Sequence, residues 1–89
     1  MDIQEHAKKI SEYLIDKVRK YGTFKNHFIE TYSHIGEVNG MSPNECRLCC
    51  EYLESIGCIQ IVKSADTNDD EWEIKANPSI VDFLKNFTS

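Results

Sequence analysis

Features that this 89-residue chain lacks exclude several classes of protein. Its apolar runs all fall short of the ~20 residues that a membrane-spanning helix needs. The first residues show no basic stretch followed by an apolar one, so we expect no signal peptide and a cytoplasmic protein. The chain has no glycine-rich phosphate loop, no nucleophile elbow and no carboxylate pair in a catalytic context. The sequence therefore predicts neither a membrane protein nor an enzyme.

Positive charge is scarce as well. Ten Lys and Arg residues stand against 15 Asp and Glu residues, for a net charge of −5. Residues 1–27 carry six basic and four acidic side chains, whereas residues 28–89 carry four basic and eleven acidic ones. Phosphate neutralisation supplies most of the affinity of a non-specific nucleic-acid binder. We therefore expect this chain to bind nucleic acid poorly in the absence of a preferred sequence.

Apolar periodicity predicts two helices in the first part of the chain. The first covers residues 3–21 and ends at Gly22, which can adopt a left-handed conformation. The second is capped by Thr23, ends at Gly36 and is followed by a six-residue link from Gly36 to Met41. The buried stripe of this second helix consists of Phe24, Phe28, Tyr32 and Ile35.

The third helix, at about residues 43–56, has the clearest start. Ser42 as N-cap, Pro43 at the first helical position and Glu45 at the third form a capping box. At 100° per residue, one face points to the core and the other to solvent. The core face contains Cys46, Cys49, Cys50, Leu53 and Ile56.

After Gly57 the apolar period changes from that of a helix to that of a strand. Residues 58–63 and 71–75 predict two strands around an acidic turn, with Trp72 and Ile74 on one face. Asn77 and Pro78 then introduce a last helix at about residues 78–87. The predicted fold class is α+β and mostly helical, in the order α-α-α-β-β-α.

This order and the segment from Ser42 to Ile59 resemble the winged-helix variant of the helix-turn-helix family. Leu53, Glu54, Gly57 and the pair Cys58-Ile59 match the family pattern that joins a recognition helix to its wing. The flanking helices resemble those of MarR-like and PadR-like regulators. The resemblance implies one domain over residues 1–89, with its recognition helix at about 43–56, its wing at about 58–76 and its C-terminal helix at about 78–87. It also implies DNA binding and transcription regulation.

The resemblance implies that the third helix enters the major groove of double-stranded DNA. There Arg47 suits guanine and Asn44 suits adenine, while Lys25 and Asn26, early in the second helix, suit phosphate. The complete set of DNA-binding candidates is Lys25, Asn26, Ser42, Asn44, Arg47, Leu48, Glu51 and Lys63.

A homodimer is expected as well, with its interface on the first and last helices. Their apolar side chains exceed what a three-helix core can cover, so we expect them to pair across a two-fold axis. The side chains in question are Ile3, Ala7, Ile10, Leu14, Leu84 and Phe87.

The acidic hairpin tip favours a second hypothesis, a winged-helix module that binds a basic protein and not DNA. Asp66, Asp69, Asp70 and Glu71 would repel phosphate, and the third-helix face would then be an ordinary solvated surface.

Four cysteines raise the question of metal or redox chemistry. Three of them lie on the predicted core face of the third helix, where a thiol behaves as a small apolar group. We expect buried structural thiols, with no metal and no cofactor. A disulfide or redox switch, or a zinc site, remains the alternative.

Overall fold

Helices and strands alternate more often than the sequence predicts. The computed structural model describes residues 2–63 and 71–88. Within these ranges the chain forms four helices and a three-stranded antiparallel sheet. Their order is α1 (Ile3–Tyr21), β1 (Phe28–Thr31), α2 (Tyr32–Asn39), α3 (Pro43–Ser55), β2 (Ile59–Lys63), β3 (Glu71–Ala76) and α4 (Ser79–Thr88). The expected α+β, mostly helical class is confirmed, and none of the described helices is both long and apolar enough to span a bilayer.

The predicted second helix is wrong over its first half, where the chain forms β1. Phe28 is 8% exposed, Ile29 is 68% exposed and Glu30 is 4% exposed, which is the alternation of a strand. Phe28 and Tyr32 are four residues apart and imitate a helical stripe, but Phe28 pairs with Ile74 of β3. The order is therefore α-β-α-α-β-β-α, with β3 in the middle of the sheet order β1-β3-β2.

The helix that follows, α2, begins and ends later than predicted. Thr31 is its N-cap and accepts a hydrogen bond from the backbone N–H of His34 at 3.0 Å. Gly36 lies inside the helix, where an added Cβ would come within 2.6 Å of the Met41 carbonyl oxygen. Gly40, with φ of +73°, ends the helix. The link to α3 is consequently the three residues Gly40–Ser42, not the predicted six.

The predicted capping box of α3 is confirmed. Ser42 Oγ accepts from the Glu45 backbone N–H at 3.2 Å, and the Ser42 N–H donates to Glu45 Oε1 at 3.1 Å. At the other end, the Glu54 carboxylate accepts from the backbone N–H of Ile61 at 2.9 Å. The end of α3 is thereby attached to β2, the strand at one border of the sheet.

The hairpin of β2 and β3 has the predicted strands and inward face. Trp72 and Ile74 are 1% and 0% exposed, and Trp72 stacks on Tyr32 with 4.6 Å between ring centroids. Glu71, which the prediction counted both with the acidic tip and with the second strand, is the first residue of β3. The other acidic tip residues, Asp66, Asp69 and Asp70, lie outside the described residues.

The apolar stripe of α1 is covered within the single chain. Ala7, Ile10 and Leu14 are all 0% exposed, because α1 packs against α3 and α4. These three residues are therefore not available to an external partner, and their predicted place in a dimer interface is wrong. Leu84 and Phe87 of α4 stay partly exposed.

Candidate functional site

The two faces of α3 differ as the sequence predicts. On the inner face Cys46, Cys49, Cys50 and Leu53 are each 0% exposed. On the outer face Asn44, Arg47, Leu48 and Glu51 are all exposed, with Leu48 at 38%. Ile56, predicted for the core face, is 44% exposed and follows the last residue of the helix. The outer face of α3 therefore presents four of the candidate residues side by side.

Arg47 is held by its two neighbours on this face. Its Nη1 donates to Glu51 Oε1 at 3.2 Å, and its Nη2 donates to Asn44 Oδ1 at 2.7 Å. These residues are three and four positions from Arg47, the spacings at which helical side chains meet. We call Asn44, Arg47 and Glu51 the α3 cluster. The guanidinium is thus bonded to a neighbour on either side, on the exposed face of α3.

Tyr32 lies beneath the same part of α3. Burial, and then the nearby Cys50 and Glu51, raise the pKa of Tyr32 to about 12. The hydroxyl is thus protonated at neutral pH. The Tyr32 ring stacks on Trp72 of β3 and so links the inner side of α3 to the sheet.

Ser42 and Glu45 are committed to the start of the helix. The Ser42 backbone N–H and then its hydroxyl lower the pKa of Glu45, which remains ionised in the cap. Ser42 is also a candidate DNA contact; its Oγ accepts from the Glu45 backbone N–H, and its hydroxyl hydrogen can still donate.

The remaining candidates lie on other elements. Lys25 and Asn26 are in the loop of residues 22–27, not on α2, and Asn26 Nδ2 donates to the Tyr21 carbonyl at 3.4 Å. This loop leads into β1 at Phe28, and at the other end of β1 Thr31 pairs with Glu71, the first residue of β3. Lys63 is the exposed last residue of β2.

The structure contains a buried ionic cluster between α1 and β1 that was not predicted from the sequence. Lys17 forms an ion pair with Glu30, and the Tyr13 hydroxyl lies 3.3 Å from each Glu30 carboxylate oxygen. Burial, then the charge of Lys20, lowers the pKa of Lys17; burial raises the pKa of Tyr13. The spacing of two between Phe28, Glu30 and Tyr32 was the available signal, since it places an acid on the inner face of a strand.

The four cysteines are buried free thiols, as expected from their positions. Burial raises the pKa of Cys49 to about 11 and also raises the pKa of Cys58. A hydrogen bond with Cys46, together with burial, raises the pKa of Cys50 well above its usual range. Protonated, buried thiols are poor nucleophiles and poor metal ligands. Over residues 2–63 and 71–88, no group of three or more His, Cys, Asp or Glu side chains is arranged to hold a metal ion.

A second feature is an apolar groove between α1, α4 and the end of α3. Its volume is 310 Å³, and its walls include Tyr52, Ile56, Phe83 and Phe87. Phe83 makes edge contacts with Tyr52 and Phe87, at centroid distances of 6.5 and 5.1 Å. This groove is where partly exposed aromatic surface of the terminal helix is concentrated.

Comparison of the chain with protein-family models, curated proteins and solved structures found no match.

Proposed function

We propose that this chain is a winged-helix protein that binds double-stranded DNA sequence-specifically and regulates transcription, with α3 as the reading helix. The α2–α3 unit supports the proposal. Helix-turn-helix motifs join two helices by a turn of three or four residues that often contains glycine, and here the connection is Gly40–Ser42. The β2–β3 hairpin follows α3 directly and would be the wing.

One observation carries the proposal: the first half of α3 exposes polar groups that suit base edges. Reading helices contact bases with their N-terminal residues while their other face packs on the core. Asn44, Arg47 and Leu48 are exposed in this half, opposite the fully buried cysteines. A bidentate arginine reads guanine, and an apolar side chain contacts the thymine methyl group.

The charge of the protein determines how it binds. Arg47 is the only basic residue of α3, and the whole chain has a net charge of −5. Little counterion release is available, so affinity for random DNA is weak and base contacts decide where the protein binds. The free thiols suit a reducing cytoplasm, in which such a regulator would meet its DNA.

We also propose that the active form is a homodimer. Because Ala7, Ile10 and Leu14 are buried, the proposed interface consists of the aromatic groove together with the partly exposed Leu84 and Phe87. A two-fold dimer presents two copies of α3 to half-sites about one helical turn apart.

Selection from random duplex oligonucleotides tests the DNA-binding proposal. We expect one enriched motif, against which Arg47→Ala loses about 1–3 kcal/mol of binding free energy. Arg19→Ala is the matched control, because Arg19 is an exposed cation on α1 that pairs with Asp16 and does not belong to the outer face of α3. A selection that enriches no motif, or equal losses for the two variants, contradicts the proposal.

Binding of a basic protein is the second candidate function. It is favoured by the pairing of Arg47 with Glu51, which leaves the outer face of α3 without net positive charge. The test is the double variant Asp69→Asn, Asp70→Asn, which removes two negative charges from the acidic segment between β2 and β3. If the protein binds DNA, removing these charges strengthens binding to every sequence; if it captures a basic partner, the same change weakens capture and Arg47→Ala has little effect.

A further inference from the structure

We infer that Glu51 and Asn44 are positioning residues that orient Arg47 to read guanine, so that the α3 cluster selects G·C over A·T in the DNA site. The inference rests on the proposed DNA binding by α3. It gives Asn44 the role of orienting Arg47, in place of the predicted role of reading adenine itself.

The hydrogen bonds of Arg47 leave donors for a base. Each terminal nitrogen of a guanidinium carries two hydrogens. Nη1 donates one hydrogen to Glu51 and Nη2 donates one to Asn44, so one hydrogen on each nitrogen remains. Guanine presents two acceptors, O6 and N7, in the major groove. The cluster therefore retains the number and kind of donors that guanine requires while its internal bonds stay intact.

The contact with Arg47 also determines which way the Asn44 amide faces. Arginine has no acceptor, so the Asn44 atom 2.7 Å from Nη2 must be the carbonyl oxygen. Reading adenine takes both amide groups, the oxygen for N6 and the NH₂ for N7. The Asn44 oxygen accepts from Arg47 through one of its two lone pairs, and this bond fixes the amide with its NH₂ still able to donate. Asn44 and Arg47 together therefore present donors, and guanine has the edge rich in acceptors.

Glu51 makes Arg47 better suited to reading a base than to binding the phosphate backbone of DNA. An exposed arginine without a partner gains affinity from any nearby phosphate. Glu51 Oε1 lies 3.2 Å from Arg47 Nη1, and its negative charge offsets that attraction and repels phosphate. Arg47 consequently contributes to specificity for a base more than to the salt dependence of binding. An ordinary exposed ion pair on a helix surface would have no such effect on base preference.

The test uses the site enriched by selection, with guanine replaced in turn by adenine or by 7-deazaguanine, which lacks the N7 acceptor. The variants are Glu51→Gln, Asn44→Ala and Arg47→Lys, which keeps the charge but loses the planar fork. Glu12→Gln is the matched control, because it removes one negative charge from an exposed position on α1. Titrations at several salt concentrations measure base preference and salt slope separately.

We expect wild type and Glu12→Gln to prefer guanine over both replacements at one position by about 10-fold or more. Arg47→Lys abolishes this preference with little change in salt slope, and Glu51→Gln and Asn44→Ala reduce it several-fold. If guanine preference survives in Glu51→Gln and Asn44→Ala, or if Asn44→Ala instead loses a preference for adenine, the positioning role is wrong although DNA binding stands. If wild type enriches no motif at all, the proposed function fails, and the inference fails with it.

Discussion

Replacing Lys17 by methionine tests how strongly the buried ionic cluster holds β1 against α1. The Glu30 side chain is 3% exposed and the Lys17 side chain is 27% exposed. Removing one partner of a buried ion pair costs about 3–5 kcal/mol, since the remaining charge stays desolvated. Lys17 is partly exposed and Tyr13 still contacts the carboxylate, so we expect the lower end, about 3 kcal/mol of unfolding free energy.

That loss is large for a chain of this length, whose total stability is on the order of 5–13 kcal/mol. Trp72 is the only tryptophan and is 1% exposed, so its fluorescence reports urea unfolding. Arg19→Met is the control, because Arg19 pairs with Asp16 where both side chains are 78% exposed, and we expect no measurable change. Adding Glu30→Leu to Lys17→Met should recover most of the loss. A loss below about 1 kcal/mol for Lys17→Met alone, at unchanged denaturant slope, refutes the reasoning.

Four further predictions concern pH, the α2–α3 turn, the thiols and assembly. Tyr32 has a pKa of about 12 and Cys49 of about 11 when folded, but 10.0 and 9.0 are their ordinary values. The unfolded chain therefore loses these protons first, and stability falls from about pH 9 upward, by up to about 1.4 kcal/mol per pH unit for each group; a flat profile between pH 9 and 11 contradicts this. Gly36→Ala places its methyl group 2.6 Å from a backbone oxygen and should cost about 1–3 kcal/mol in urea unfolding, whereas a stabilised variant would show that the turn moves freely. The native protein should react slowly with thiol reagents and contain no zinc by elemental analysis, and stoichiometric metal would favour a sensor. Light scattering at micromolar concentration should give twice 10.3 kDa, and Phe87→Glu should give the monomer; a wild-type monomer removes the dimer from the proposal.

The structure of α3 could be predicted because its signals are local. The capping residues Ser42 and Glu45 lie three positions apart, and the cysteine stripe repeats with the helical period. The outer face followed from the same period. The pairing of Arg47 with Glu51 was also within reach, since four residues separate an arginine and an acid on one helix.

The strand β1 could not be predicted in the same way, because its causes are distant in the sequence. Phe28 pairs with Ile74, and Glu30 is buried only because Lys17 of α1 supplies a compensating charge. The spacing of two between Phe28, Glu30 and Tyr32 fits a strand, but the spacing of four between Phe28 and Tyr32 fits a helix equally well, so the local pattern could not decide between them. The position of Lys25 and Asn26 was wrong for the same reason, since both were assigned to a helix that begins only at Tyr32.

The hydrogen bond that the Ile61 N–H donates to Glu54 limits how copies of the protein can meet. β2 is an edge strand of the sheet, and an edge strand normally leaves backbone N–H groups free to pair with a strand of another molecule. Here the Ile61 N–H is already bound by a carboxylate at 2.9 Å. An incoming strand would have to displace a charge-assisted hydrogen bond and meet a negative charge. Glu54, which attaches α3 to the hairpin, thus also disfavours extension of the sheet at this edge and the aggregation that would follow.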